Sequence, residues 1–344
     1  MVGIGTIGDI VPLIDENRTL AKYGLRALNI SRRKGLVQLL LGIGLEQGHI
    51  LSEHVSYAVD PHLNASGRPE DAKIAARLMM EKDDDRINAG VNKLIQYNCQ
   101  RKKLQNEAYE ACRLIVEREC REDLFYVICL EDAHEGITGI VAGKIKDTFN
   151  RPAIIVTPTG DGCLKGTGRS IEGVNLYRLL KANEALFERF GGHAAACGFT
   201  MKKDGLPLLR ANLNEAMRRI AEDNPNLFNR RPEAELELST EDVCRELAEE
   251  INRLEPFGRE NPQPLVQVRV RPVSVRTMGS QGQYIRFSGV LDDGREIPCV
   301  IFKDAHEYDE ILQRGQKISI IGTLGLQSWN GRQYLQINVS GVEE

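Results

Sequence analysis

The sequence predicts two mixed α/β regions joined by a long helical segment and followed by an all-β barrel of the OB type. Three observations carry this. Between residues 124 and 200, short apolar runs at 124–130 and 153–156 flank the helix-like GITGIVAGKIKDTF. From about residue 71 to 120, apolar residues recur at three-to-four spacing, as Ile87, Val91 and Leu94 and then Leu104, Ala108, Ala111 and Ile115. Beyond NPQP, five strand-like runs follow one another: LVQVRVRPVSVRTM, YIRFSGVL, IPCVIF, KISIIGTLGL and YLQINVSG.

Taken in order, residues 1–70 read as mixed α/β, with ENRTLAKYGLRALNI and GLVQLLLGIGL helix-like and the second broken by glycines. Residues 71–120 form a connecting helical segment, interrupted near 83–85, with QRKKLQNE covering its polar faces. Residues 121–226 continue with a glycine-punctuated strand or loop, KGTGRSI, a helix over roughly 176–190, the GGHAAACGF stretch and a helix over 206–221. EDNPNLFNRRP, at 222–232, is the linker candidate. Residues 227–344 hold one acidic helix over about 241–254 and then the five strands, whose spacing fits a small Greek-key barrel. An SH3-like barrel or a small sandwich shares that periodicity.

Composition bounds the function classes. With 344 residues there is chain for two or three domains, and 42% hydrophobic with 27% charged content is that of a globular protein. No apolar run approaches the ~20 residues of a membrane span, and the start lacks a signal-peptide pattern. The eight cysteines never fall as C-x-x-C, and several lie in apolar runs such as LFYVICL; reduced thiols in the cytosol are expected rather than disulfides or zinc ligands. The net charge of −4 conceals an asymmetry, since residues 232–260 carry ten acids against three arginines and leave the rest of the chain at +3. A polyanion-binding protein need not be basic overall if its arginines line one cleft.

Four glycine-containing clusters could carry chemistry. In GTIGDIVP, Asp9 offers a hard oxygen ligand for Mg²⁺ or Mn²⁺, or else caps a turn. In LNASGRPEDA, Asn64 and Arg68 flank small residues, and the guanidinium is suited to bidentate grip of a phosphate; the plainer reading is a turn with a solvated arginine. In LKGTGRSIEG, Lys165, Thr167, Arg169 and Ser170 alternate with glycines, as an anion-binding nest or a glycine-rich hairpin, and the G-K-[ST] ending of an ATP-binding P-loop is lacking. In RFGGHAAACGF, Gly191, Gly192 and His193 precede small residues that let a partner approach the backbone; His193 could donate to a phosphate or be a satisfied structural group. None of the four decides the matter alone.

Together with HEGITGIVAGKI, RPAIIV and LEPFGRENPQP, these stretches run in one order across nearly the whole chain and resemble the RecJ family, single-strand-specific DNA exonucleases of the DHH phosphoesterase superfamily. The resemblance implies the end of a DHH domain, a connecting helix, a DHH-associated domain and an OB fold. It implies that Asp9 matches the aspartate of the last metal motif of a two-metal Mn²⁺ or Mg²⁺ site. It also implies that Arg68, Thr167 and Arg169 engage phosphate near a 5′ end, with Asn64, Ser170 and the segment around His193 lining the same cleft. In the OB part Arg269, Arg271, Arg276, Tyr284, Arg286, Phe287, Trp329 and Tyr334 are candidate contacts, or barrel core in the case of the aromatics. Two positions depart from the family pattern: His62 stands where arginine is frequent, and Cys197 where alanine is usual.

The superfamily's His-His pair is missing, all six histidines being isolated, so the chain is expected to lack the N-terminal part of its catalytic domain and to be inactive or nearly so alone. The implied activity is metal-dependent 5′→3′ release of nucleotides from single-stranded DNA in recombination and repair, beside a helicase and a single-strand DNA-binding protein. The alternative is a non-catalytic single-strand-binding paralogue or accessory protein. A DHH phosphoesterase for short oligonucleotides or cyclic dinucleotides fits less well, because those enzymes generally lack an OB tail.

Overall fold

A computed structural model describes every residue except 66–68, 161, 230–231, 280–281, 283, 303–304 and 330–331, and omits in addition the side chains of 69–72, 328–329 and 332. Two compact units result: Met1–Asn64 with Ala72–Asn92 and Arg231–Glu344, and Ala65–Asp71 with Lys93–Arg230.

The chain opens with helices only: α1 (Val2–Gly8), α2 (Asp15–Asn29) and α3 (Lys34–Gly42), then α4 (Ser52–His54) and α5 (Asp60–Leu63) joined by a π-helical turn, Val55–Val59. The strand content expected in 1–70 is therefore not found among the described residues. GIGTIG is helical because Ile4 and Ile7 are buried one turn apart and α1 crosses α2 at two glycines. A Cβ on Gly3 would stand 2.8 Å from the Gly24 Cα, so this approach tolerates no side chain. Next come α6 (Pro69–Leu78) and the 36-residue α7 (Asp84–Glu119). The break between them is a turn in which Glu81 Oε1 accepts from the amides of Lys82 and Asp83, and Asp83 Oδ1 accepts from that of Arg86 at 2.9 Å.

The second unit is built on β1 (Tyr126–Cys129), α8 (Glu135–Phe149), β2 (Ala153–Pro158), β3 (Cys163–Arg169), α9 (Leu176–Lys181), β4 (Phe187–Gly192), β5 (Ala196–Lys202) and α10 (Leu206–Asp223). Its sheet has the order β1-β2-β3-β5-β4, with β1 and β2 parallel and the other neighbours antiparallel. One face packs Phe125, Val127, Ile154, Val156, Leu164 and Phe199 against α9 and α10. The other packs Tyr126, Ile128, Ala153 and Ile155 against α8 and the end of α7. The helix expected over 176–190 stops at Lys181, and residues 187–192 become a strand instead. Pairing with β5 decides this, since Phe187 packs 4.7 Å from Phe199 and 5.7 Å from Phe190.

After β6 (Leu236–Leu238) and α11 (Arg245–Asn252), the strands β7 (Val266–Met278), β8 (Tyr284–Val290), β9 (Glu296–Ile301), β10 (Ile318–Trp329) and β11 (Arg332–Glu343) close into a barrel. The cycle β7-β8-β9-β11-β10-β7 is antiparallel except for the parallel β9–β11 pair, and α12 (Ala305–Gln313) fills the β9–β10 connection. This is an OB-type barrel, cored by alternate residues such as Val266, Val268, Val270, Ile285, Cys299, Ile320 and Ile337. The helix expected over 241–254 begins late, because Asp242 Oδ2 accepts from the Ser239 amide at 3.0 Å and its hydroxyl at 2.6 Å and holds a turn there. The short β6 and α12 had no counterpart in the sequence reading.

Within the first unit, LEPFGREN clasps the helical part to the barrel. Ser52 Oγ lies 3.1 Å from Glu255 Oε2 and 2.7 Å from the Phe257 carbonyl. Arg18 Nη2 donates to the Leu254 carbonyl at 2.9 Å, and the Leu13 amide to that of Arg259 at 2.8 Å. Glu255 is largely buried, and desolvation raises its pKa despite the hydrogen bonds from the Phe257 amide and Ser52.

Candidate nucleic-acid interface

In the second unit, β3 alternates strictly. Leu164, Gly166 and Gly168 are buried, while Lys165, Thr167 and Arg169 lie on the other face, in register with Thr157, Ile155 and Ala153 of β2. That face is covered over β2 and β3 by α8. Glycine at 139 makes room there: a Cβ would stand 3.0 Å from Arg169 Nη2 and 3.2 Å from Thr167 Cγ2. Thr138 Oγ1 bonds to Thr167 Oγ1 at 3.2 Å, Lys165 Nζ pairs with Glu135 Oε2 at 2.7 Å, and His134 Nδ1 caps α8 by accepting from the Gly136 amide.

Beyond β3 the same face continues onto Ala196, Gly198 and Thr200 of β5 and Gly191 of β4, which pair Arg169 with Ala196, Thr167 with Gly198 and Gly198 with Gly191. Nothing lies within 4 Å of where a Cβ on Gly191 would be. A floor of small residues, with Gly191 and Gly198 exposed and Ala196 and Thr200 half-buried, thus borders a row of Lys165, Thr167 and Arg169. Arg169 is half-buried; its Nη1 donates to the Gly168 carbonyl at 3.0 Å, and among the described residues no carboxylate pairs with it. Desolvation accordingly lowers its pKa. A guanidinium held partly out of water without a counter-charge is a prepared anion subsite.

The turn at the end of this floor is rigid. His193 and Ala196 exchange backbone hydrogen bonds, the Leu176 amide donates to the Ala194 carbonyl at 2.9 Å, and the Ser170 amide to that of Ala195 at 2.9 Å. Cys197 Sγ donates from beneath to the His193 carbonyl at 3.2 Å. Gly192, at φ 146, would place a Cβ 2.6 Å from the Cys197 Cα, so only glycine fits. His193 is exposed at the tip. Ser170 is buried and donates its hydroxyl to the Val174 carbonyl at 2.7 Å, which makes it part of the scaffold of the turn. Thr138, Gly139 and His134 join the site without being expected from the sequence; the H-E-G-I-T-G opening of α8 is the signal that points to them.

In the first unit, Asp9 caps the C-terminus of α1 and is exposed, followed by Ile10 in the left-handed region at φ 53. The loop is held by the Val11 amide on the Thr6 carbonyl at 3.2 Å and by the Leu13–Arg259 bond. Asn64 is exposed and donates to Asp60 Oδ2 at 3.0 Å. Arg68 lies outside the described residues. On the barrel, Arg276 and Arg286 are cross-strand neighbours, as are Met278 and Tyr284, so half-buried Tyr284 and exposed Arg286 lie on one face of the ribbon. Exposed Phe302, which the sequence reading did not single out, meets Tyr284 edge-on at 6.2 Å. Arg269 pairs with Glu237 at 3.4 Å, Arg271 is exposed, Tyr334 is half-buried and Phe287 belongs to the core; the Trp329 side chain lies outside the described residues. No three His, Cys, Asp or Glu side chains come together among the described residues in a way that could hold a metal ion. Asp9 alone therefore does not make up a metal centre, and no helix among those residues is long and apolar enough to cross a membrane.

Known proteins show the same parts in the same order. Residues 123–219 match the DHHA1 domain and 234–341 the RecJ OB domain. The chain is 34% identical over 342 residues to the single-stranded-DNA-specific exonuclease RecJ of Bacillus subtilis, a match over 98% of this chain and 43% of that protein. Crystal structures of RecJ from Thermus thermophilus in complex with Mg²⁺ and with Mn²⁺ superpose with TM-scores of 0.77 and 0.78 at 25% identity, covering 99% of this chain and 51% and 49% of theirs. Divalent ions are thus bound by solved members of the family. The chain spans about half the length of the curated relatives it matches. With a DHHA1 domain followed by a RecJ OB domain, it belongs to the RecJ family.

Proposed function

We propose that this chain is the substrate-holding half of a single-stranded-DNA-specific 5′→3′ exonuclease. The observation that carries the reading is Arg169, partly desolvated and without a carboxylate partner among the described residues, beside a floor of small residues in which Gly191 and Gly198 are exposed. Phosphate oxygens need a fork-shaped cation and close approach, and this face offers both. Lys165 and Thr167 extend the row, and Asn64, Arg68 and His193 add further contacts. The barrel ribbon of Arg276, Tyr284 and Arg286, with Arg269, Arg271 and Trp329, holds the strand through charge and stacking. In the chain's division, residues 1–70 end a DHH domain, 71–120 connect, 121–226 form the DHH-associated domain and 227–344 the acidic helix and OB domain.

The metal ions of the whole enzyme supply the hydrolytic chemistry. Asp9 would give one carboxylate to such a site, and the chain on its own would bind DNA without digesting it. The partners are single-stranded DNA with a 5′ end, a helicase and a single-strand DNA-binding protein; eight free cysteines accord with a cytosolic setting. A Mn²⁺-dependent digestion assay on 5′-phosphorylated, 3′-labelled single-stranded DNA, run beside a binding titration, tests the reading. Binding without digestion supports it. Digestion abolished by Asp9→Ala would show that these residues complete a metal site, and absence of binding would remove the substrate-holding role.

A further inference from the structure

The π-helical turn before α5 does something that its sequence does not announce. Val55 and Val59 are both fully buried, and the widened turn between them carries the next residue, Asp60, across to α1. There the Asp60 carboxylate lies flat on Gly8: a Cβ at position 8 would stand 2.7 Å from Asp60 Cγ and closer still to Oδ1. The glycine immediately before Asp9 leaves the place that this carboxylate occupies. From this place Asp60 Oδ2 accepts from Asn64 Nδ2 at 3.0 Å, while the Asp60 carbonyl accepts from the Asn64 amide at 2.9 Å. A carboxylate is an acceptor only, so it fixes which end of the carboxamide faces it: the Asn64 nitrogen turns toward Asp60 and the Oδ1 oxygen is directed away.

We propose that Asp60 is a positioning residue that locks the loop bearing Asp9 to Asn64 and sets the Asn64 carboxamide to present its oxygen, an acceptor, to a donor group of bound DNA such as a base amino or imino N–H. The inference rests on the reading of the chain as a holder of single-stranded DNA. It differs from a phosphate contact in kind, since an outward carbonyl oxygen beside a carboxylate repels phosphate and accepts from a base edge.

The test is a double-mutant cycle on the full 344-residue chain, read as affinity for 5′-phosphorylated single-stranded DNA by fluorescence anisotropy, with thermal melts beside it. Asp60→Ala should weaken binding about fivefold, as the hydrogen bond that orients Asn64 is lost. Asp60→Asn, which keeps an acceptor for Asn64, should bind within about twofold of the parent. Gly8→Ala should weaken binding like Asp60→Ala, because its Cβ displaces the carboxylate, yet add less than about twofold in the Asp60→Ala background. A merely structural role would show neither the Asn rescue nor that non-additivity. If Asp60→Ala fails to fold, Gly8→Ala compared with Gly8→Ala/Asp60→Asn gives the decision, the paired variants losing affinity equally if the carboxylate must vacate Gly8. Arg169→Ala serves as the control: its loss of affinity with an unaffected Asp60→Ala overturns the Asp60 proposal alone. Parent-like binding by Arg169→Ala overturns the substrate-holding reading, and the proposal with it.

Discussion

Replacing Arg169 by alanine separates two costs that usually run together. In the folded protein the guanidinium is half-buried, lowered in pKa by desolvation, and among the described residues it meets one carbonyl, that of Gly168 at 3.0 Å, and no carboxylate. Its removal therefore gives up one hydrogen bond, worth about 1 kcal/mol, and relieves a desolvation cost of similar order, so the melting temperature should change little. Binding behaves differently. A charge-assisted contact to phosphate is worth roughly 1.5–3 kcal/mol, so affinity for single-stranded DNA should fall about tenfold to a hundredfold. The slope of log K against log salt should shrink by about 0.7, the value for one phosphate on a single strand. Arg169→Lys should keep the slope while losing part of the affinity, because the charge remains and the fork does not. Anisotropy titrations at four salt concentrations, with a melt for each variant, measure all of this. An unchanged slope, or a melting temperature many degrees lower, would refute the assignment and make Arg169 a structural residue.

Other consequences are equally direct. Gly139→Ala should weaken DNA binding severalfold by crowding Arg169 and Thr167, while gaining up to about 1 kcal/mol of helix propensity in α8; tighter binding would show that the row is not used. Asn214→Ala should destabilise the chain by about 3–5 kcal/mol in urea, since its carboxamide accepts from the amides of Leu124 and Phe125 and donates to the Phe125 carbonyl in a buried place; a loss below 1 kcal/mol would contradict that role. For Glu255 the folded-state pKa is raised, so the folded chain binds the proton more tightly. Stability from this group is full below the unfolded carboxylate pKa near 4.3 and is lost as pH rises through the higher folded value. Glu255→Gln should flatten that fall, and a parent melting curve that stays level or rises across the window would count against it.

Much of this was legible in the sequence where local pattern and tertiary structure agree. The barrel strands alternate in a way that only a half-buried sheet uses, and the three-to-four spacing of Ile87, Val91 and Leu94 marked α7. Local pattern misleads where a long-range contact overrides local preference. GIGTIG looks like loop or strand until α2 supplies Gly24 as the partner for Gly3. Residues 187–190 look helical until β5 offers Phe199. In the candidate interface, K-x-T-x-R displayed its cationic face by period two, whereas the burial of Ser170 depends on the Val174 carbonyl, which the alternation does not reveal. The role of Gly8 was hidden for the same reason: Asp60, its neighbour in space, lies far along the chain.

On this reading the β3–β5–β4 face of the second unit lies against single-stranded DNA. Hydrogen–deuterium exchange of the 344-residue chain, with and without a 5′-phosphorylated oligonucleotide, measures it most directly. Slowed exchange is expected at residues 165–169 and 191–198, and is expected to be lost in Arg169→Ala. Protection confined to the barrel, with those two segments unchanged at saturating DNA, would contradict it.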